Sequence, residues 1–413
     1  MNQVIHVNRE RIKRRITELS KVGRTPEGGV TRKALTQEEW EAQELVAKWM
    51  GQAGLVVRRD SFGNLIGRKE GTNPAVPTVM IGSHVDTVPN GGDFDGTIGV
   101  IAGIEVAQII ENEQISIEHS LEIVAFSDEE GTRFQGGLFG SRAMVGKISD
   151  NELSRKDEEG VSRFEALQAF RLSSLSVDDI KQEGDVKVYL EMHIEQGPYL
   201  EKVEEPVGIV TGIAGPAWLE VKLIGESGHA GTVPMSLRRD PLAGAAEIIW
   251  NIEQICSKDI MAPTVGTIGK MTVKPGGANV IPETVEFTLD LRDVDLARRD
   301  ERLFEVNEKI EQICHQRGLT FEMTNLLLQK PVSCADHITL TMEQKAKTLG
   351  LNPVKLISGA GHDAMSLNEM TDVGMIFVRS RGGISHNPRE WSDWEDISLG
   401  TALLAETALE YLK

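Results

Sequence analysis

TVMIGSHVDTVPNGGDFDG, residues 78–96, starts as a short apolar run and empties into a polar, glycine-rich loop carrying His84, Asp86, Asp93 and Asp95. A brief run of this kind reads as a strand buried on both faces. Comparable runs at Leu121–Ser127, Val188–Ile194, Val354–Ser358 and Gly374–Val378 also end in polar, Gly-containing loops and alternate with helical stretches. The pattern predicts an α/β fold built on a mixed, mainly parallel sheet flanked by helices. In open α/β sheets ligands bind beyond the carboxyl ends of the strands, so these loops are where chemistry is expected.

The middle third has another rhythm. WLEVKLI at Trp218–Ile224 alternates, a helical stretch follows at about 240–256, then strands at Val265–Val273 and Thr284–Leu291, a helix at Ala297–Arg317 and a strand at Leu319–Thr324. This β-α-β-β-α-β order is the split unit of a ferredoxin-like α+β domain. The expected organisation is a discontinuous domain, 1–211 and 331–413, interrupted by an insert at 212–330.

The 413 residues suffice for two to three domains, and 40% hydrophobic against 26% charged is an ordinary globular balance. A formal charge of −19 repels phosphate backbones and anionic lipid, which disfavours nucleic-acid and membrane-surface roles. Ile98–Ile110 is broken by Glu105 and Gln108 and does not read as a membrane span. At the N-terminus, Val7, Ile12, Ile16 and Leu19 share one helical face, predicting an ordinary first helix rather than a secretory leader. Cys256, Cys314 and Cys334 form no CxxC pair, so a reducing, cytoplasmic setting is expected and the thiols read as packing residues.

Among nine histidines, His84, His193 and His386 fall at or just past strand ends beside carboxylates or glycines. They lie in GSHVDTV, EMHIEQG and GGISHNP, with Asp95 in GGDFDG and the pair Glu129–Glu130 in FSDEEG. Imidazoles and carboxylates are the ligands that zinc, manganese and cobalt prefer, and the set is large enough for two ions. At a strand-to-loop bend two adjacent glutamates can reach one cavity in different roles, one as ligand and one as proton carrier. Asp93 competes with Asp95, and Asp86 also reads as a simple turn residue. GxSxG, HExxH and Walker-type motifs are missing from the chain.

HVDTV, GGDFDG, SDEEG, HIEQG and GISHNP resemble the metal-binding blocks of the aminoacylase and carboxypeptidase-type di-metal amidohydrolases. The likeness runs from GGVTR at Gly28–Arg32 to GISHNP and is narrower for the ureido-acid branch: allantoate amidohydrolases, N-carbamoyl-L-amino acid hydrolases and β-ureidopropionases. It implies that His84, Asp95, Glu130, His193 and His386 hold two divalent ions (Mn, Zn, Co or Ni), with Asp95 bridging. It further implies that Asp86 orients His84 through the imidazole's other N–H and that Glu129 is the general base.

Within the insert, GESGHAGTVPM, GGANVIPE and DLRD carry His229, Asn279 and Arg292. By itself Arg292 fits an ion pair with Asp290 or Asp293 as well as a functional role. The resemblance implies that Arg292 takes the substrate carboxylate while Asn279 and His229 lie near the ureido group, His229 stabilising charge on the substrate oxygen. Gln196, Gly361 and His362, from HIEQG and SGAGHDA, are implied as further substrate contacts. Relatives place the insert at a homodimer interface, as a lid that completes the partner's site. The implied activity is hydrolysis of the ureido C–N bond of a small anionic ureido acid. GESGHAG and SGAGHDA lean toward allantoate, with the N-carbamoyl-L-amino acid and β-ureidopropionate activities as alternatives. The reading of another class is a binding protein of this fold without catalysis.

Overall fold

The computed structural model describes residues 5–170 and 185–413. The chain divides into two compact units, Met1–Thr211 with Cys334–Lys413, and Gly212–Ser333.

In the first unit, four parallel strands form the centre of a mixed sheet, in the order Leu121–Phe126, Thr78–His84, Val186–Ile194, Asp372–Val378. Antiparallel strands extend both sides: the hairpin Val56–Arg59 and Leu65–Lys69 beyond 121–126, and Val207–Ile213 beyond 372–378. Every residue of 78–84 and of 121–126 is buried, as strands covered on both faces must be. Helices Thr97–Asn112 and Trp394–Tyr411 flank the sheet and share its core with Ile81, Ile123, Leu190 and Ile376. The apolar stretch around 98–110 is therefore a core helix. Its interrupting Glu105 is fully buried and takes two hydrogen bonds from the Arg11 guanidinium, at 2.7 and 2.6 Å. Arg11 lies on the first helix, Arg9–Leu19, whose Ile12, Ile16 and Leu19 are buried as the sequence pattern requires. Among the described residues no helix is long and apolar enough to cross a membrane.

The second unit has an antiparallel sheet in the order Met271–Lys274, Thr284–Asp293, Gly215–Ile224, Thr320–Leu328. Helices Pro241–Cys256 and Leu296–Arg317 pack together and contribute Ile248, Ile252, Val306 and Ile310 to its core. This is the ferredoxin-like strand order expected from the sequence. Along 284–293 burial alternates strictly, the signature of a sheet packed on one face only. The strand expected at 265–273 is two pieces, Val265–Thr267 and Met271–Lys274, which pair with different ends of 284–293. A continuous β-rich sequence does not reveal such an interruption.

Candidate metal centre

The carboxyl end of 78–84 delivers His84, and the loop after it delivers Asp95. His193 sits one residue before the end of the neighbouring parallel strand. The 121–126 strand runs into Asp128, whose φ of 54° turns the chain sharply before Glu129 and Glu130. N–H groups of Leu138, Phe139 and Gly140 donate to the carbonyls of Glu129, Asp128 and Ser127, which holds the turn in place. His386 comes from the loop after the 372–378 strand and also has a left-handed φ, 53°. Non-glycine residues held there are strained and cluster where function demands a particular direction.

Ligand atoms of His84, Asp95 and His193 lie within 4.8 Å of one another, as do those of Asp95, Glu130 and His386, and those of His84, Glu129 and Glu130. Asp95 is common to two sets. Its Oδ1 is 3.1 Å from His193 Nε2 and its Oδ2 is 3.1 Å from His386 Nε2. Asp93 instead pairs with Arg24 at 3.0 Å, so the structure places Asp95, not Asp93, between the imidazoles. Gly96, at φ 61°, lies against the His84 ring, which a Cβ there would overlap.

Asp86 faces both His84 and the two glutamates. His84 Nδ1 is 3.1 Å from the main-chain carbonyl of Asp86 and 3.6 Å from its carboxylate. That carboxylate accepts the N–H groups of Glu129 and Glu130 at 3.2 and 3.1 Å, tying the two glutamates to the His84 loop. Glu129 Oε2 is 3.7 Å from His84 Nε2. Gln196 donates to both oxygens of Asp95, at 3.3 and 3.1 Å, while its buried Oε1 has no partner among the described residues. His362 is buried rather than open: its Nε2 lies 2.7 Å from Ser358 Oγ, and its ring meets His193 edge-on at 4.5 Å. Gly361 beside it is exposed.

Four carboxylates, of Asp86, Asp95, Glu129 and Glu130, crowd three imidazoles in this cavity. Burial, followed by the charge of Asp95, pushes the Glu130 carboxyl up to about 7. Burial also drives Glu129 well above the usual range, with Glu130, Asp363 and Asp86 adding to it against the pull of His84. Asp95 stays well below its usual range despite burial, because His193 and His386 hydrogen-bond to its ionised form. That hydrogen bond lifts His386 to about 9. A carboxylate-rich pocket with nitrogen ligands and an unpartnered amide oxygen has the donor chemistry of a divalent-cation site.

In the second unit, His229 pairs with Val280 across a two-stranded ribbon, and the Asn279 carbonyl accepts the Ala230 N–H at 2.9 Å. His229 Nδ1 accepts from Gly231 N–H at 3.0 Å, which leaves the proton of a neutral ring on Nε2. Arg292 Nη2 donates to Asp290 at 2.8 Å, the ion pair that sequence reading left open. Sequence reading missed Ser385, Glu390, Glu191 and Asp363. Ser385 Oγ is 3.1 Å from Asp95 Oδ2, and buried Glu191 accepts from Ser83, Tyr189 and the Ala364 N–H. Glu191 and His193 stand two apart on one strand, and that spacing was the available signal.

The description "Peptidase family M20/M25/M40" matches residues 80–410. The chain belongs to this family. It is an amidohydrolase of the M20/M25/M40 group, acting on C–N bonds. The N-carbamoyl-L-amino-acid amidohydrolase of Pseudomonas sp. (strain NS671) is 50% identical over 413 residues, 99% of this chain and 100% of that protein. Allantoate deiminase 1 of Glycine max is 36% identical over 407 residues, 91% of this chain and 84% of that protein. Among solved structures, a hydantoinase/carbamoylase family amidase from Burkholderia multivorans superposes with a TM-score of 0.94 at 33% identity, over 99% of each chain. The α/β architecture expected from the sequence is thus the family's own.

Proposed function

We propose that the chain hydrolyses the ureido C–N bond of an N-carbamoyl-L-amino acid, using two divalent ions. The observation that carries this reading is the division of the Asp95 carboxylate, one oxygen to His193 and the other to His386. His84, Asp95 and His193 would hold one ion, and Asp95, Glu130 and His386 the other, with manganese, zinc, cobalt and nickel all compatible with the donors. Divalent ions at such a site supply Lewis acidity, acidifying a water and polarising a carbonyl.

Glu129 is buried beside His84 but lies outside both of those sets, so its carboxylate remains available to move protons. It takes a proton from the water that adds to the ureido carbon. It then gives that proton to the amino-acid nitrogen as the C–N bond breaks, leaving carbamic acid, which decomposes to CO2 and ammonia. Asp86 keeps Glu129 in position through its backbone N–H. In the second unit, the Arg292 guanidinium receives the substrate carboxylate by exchanging its Asp290 partner for it. His229 donates from Nε2 to the developing oxyanion, with Asn279 beside it. Gln196, Gly361 and His362 remain the proposed contacts from the first unit, His362 acting through His193 on which it packs. Gly212–Ser333 is the lid and dimerisation domain of a homodimer whose lid residues serve the partner's site.

The 50% identity with a carbamoyl-amino-acid hydrolase, against 36% with an allantoate deiminase, favours the first substrate class over the allantoate lean of the short motifs. The test is a panel of N-carbamoyl-L-methionine, 3-ureidopropionate and allantoate, assayed after chelation and after reconstitution with each metal. Turnover indifferent to chelation sinks the two-ion reading, no turnover at all favours a binding protein, and a preference for allantoate reverses the substrate assignment. Mixing Glu129→Ala with Arg292→Ala chains tests the shared site: verified heterodimers without recovered activity count against it.

A further inference from the structure

We propose that Glu390 is a positioning residue that fastens the Asp95 loop to the His386 loop and so sets the spacing of the two ion sites; this rests on the two-ion reading above. Glu390 is 4% exposed and lies 295 residues from Asp95 in sequence. Its Oε1 accepts the backbone N–H groups of Phe94 and Asp95, at 2.9 and 3.1 Å. Its Oε2 is 3.0 Å from Ser385 Oγ, which is also 3.1 Å from Asp95 Oδ2. Ser385 immediately precedes His386. One buried carboxylate therefore holds the backbone carrying the shared ligand and, through a hydroxyl, the residue next to the far imidazole. Gly92 completes the fit, because a Cβ at that position would overlap the Glu390 carboxyl.

The arrangement matters because Asp95 has to address His193 and His386 at once, and functional constellations tolerate only about 0.5 Å of slack. Neither loop is a strand or helix where Asp95 and His386 sit, so backbone hydrogen bonding of regular structure does not position them. A hydroxyl carries one proton, so Ser385 donates to either Asp95 or Glu390 but not to both. Glutamine at 390 keeps an oxygen for the two N–H groups and points an amide donor at Ser385, freeing the hydroxyl proton for Asp95. Alanine removes all three contacts.

The experiment compares wild type with Glu390→Gln, Glu390→Ala and Gly92→Ala. Each full-length protein is stripped of metal, titrated calorimetrically with Mn2+ alone, checked by thermal melting, and assayed for kcat and KM. Glu390→Ala and Gly92→Ala are expected to lose roughly 10–100-fold in affinity for at least one ion and a similar factor in kcat, with KM little changed. Glu390→Gln is expected to stay within about threefold of wild type, since it retains the hydrogen-bond frame. Wild-type ion binding by Glu390→Ala overturns the proposal, as does a Glu390→Gln chain that falls as far as the alanine variant. If Glu390→Ala does not fold, Glu390→Gln decides: wild-type-like supports the role and impaired ion binding overturns it. A wild-type chain that binds fewer than two Mn2+ ions sinks the two-ion reading and this role with it. Two ions bound alike by wild type and Glu390→Ala sink this role alone.

Discussion

Arg163 Nη2 donates to Asp128 Oδ2 at 2.6 Å, and neither side chain is exposed. Asp128 is the left-handed residue that turns the chain into Glu129 and Glu130, and the Phe139 ring stacks on the guanidinium at 4.0 Å. Arg163→Met is expected to destabilise the fold by about 3–5 kcal/mol, because it strands a desolvated carboxylate. Adding Asp128→Asn should restore part of that loss. Urea unfolding of both variants checks it, and a single-mutant cost below about 1 kcal/mol shows that the bend stands without the pair.

Glu129→Gln separates chemistry from metal binding. Glutamine keeps the shape but cannot take a proton, so kcat should drop by about 10²–10⁴ while metal content stays at the wild-type value. Equal loss of metal and turnover would reassign Glu129 as a ligand, a role its place in the His84–Glu129–Glu130 group permits.

Glu39 gives a pH signature away from the ligand residues. It is fully buried, and burial, then the charge of Asp86, raises its carboxyl from 4.5 to about 8 against the hydrogen bond from the Leu35 N–H. The folded state thus keeps a proton that the unfolded chain releases, so this group's contribution to stability falls as pH rises from about 4.5 through about 8. Glu39→Gln should flatten the dependence over that window, measured as unfolding free energy at several pH values. An unchanged slope means that Glu39 ionises normally in the fold.

The three cysteines are buried and unpaired, and burial raises Cys256 and Cys314 to about 11 and Cys334 to about 12. Thiolate is the reactive form, so the native protein should resist a disulfide reagent at about pH 8 and react fully once denatured. Rapid native labelling would show that one of these thiols opens to solvent.

Strand runs, the ferredoxin-like order of the insert and the residue types gathered at strand ends were all legible in the chain, because periodicity and ligand chemistry are local properties. Short, mostly apolar stretches such as 78–83 announce strands buried on both faces, and the histidines at their ends were few enough to single out. Tertiary structure decided which groups meet. It turned Asp95 toward two imidazoles and Asp93 toward Arg24, gave the Asp86 carboxylate to two backbone N–H groups, and buried His362 behind His193. It also brought Glu390 back across nearly 300 residues to the Asp95 loop. No pattern of spacing encodes these meetings, because they arise only when parallel strands from distant parts of the chain are laid side by side and their loops must share one site.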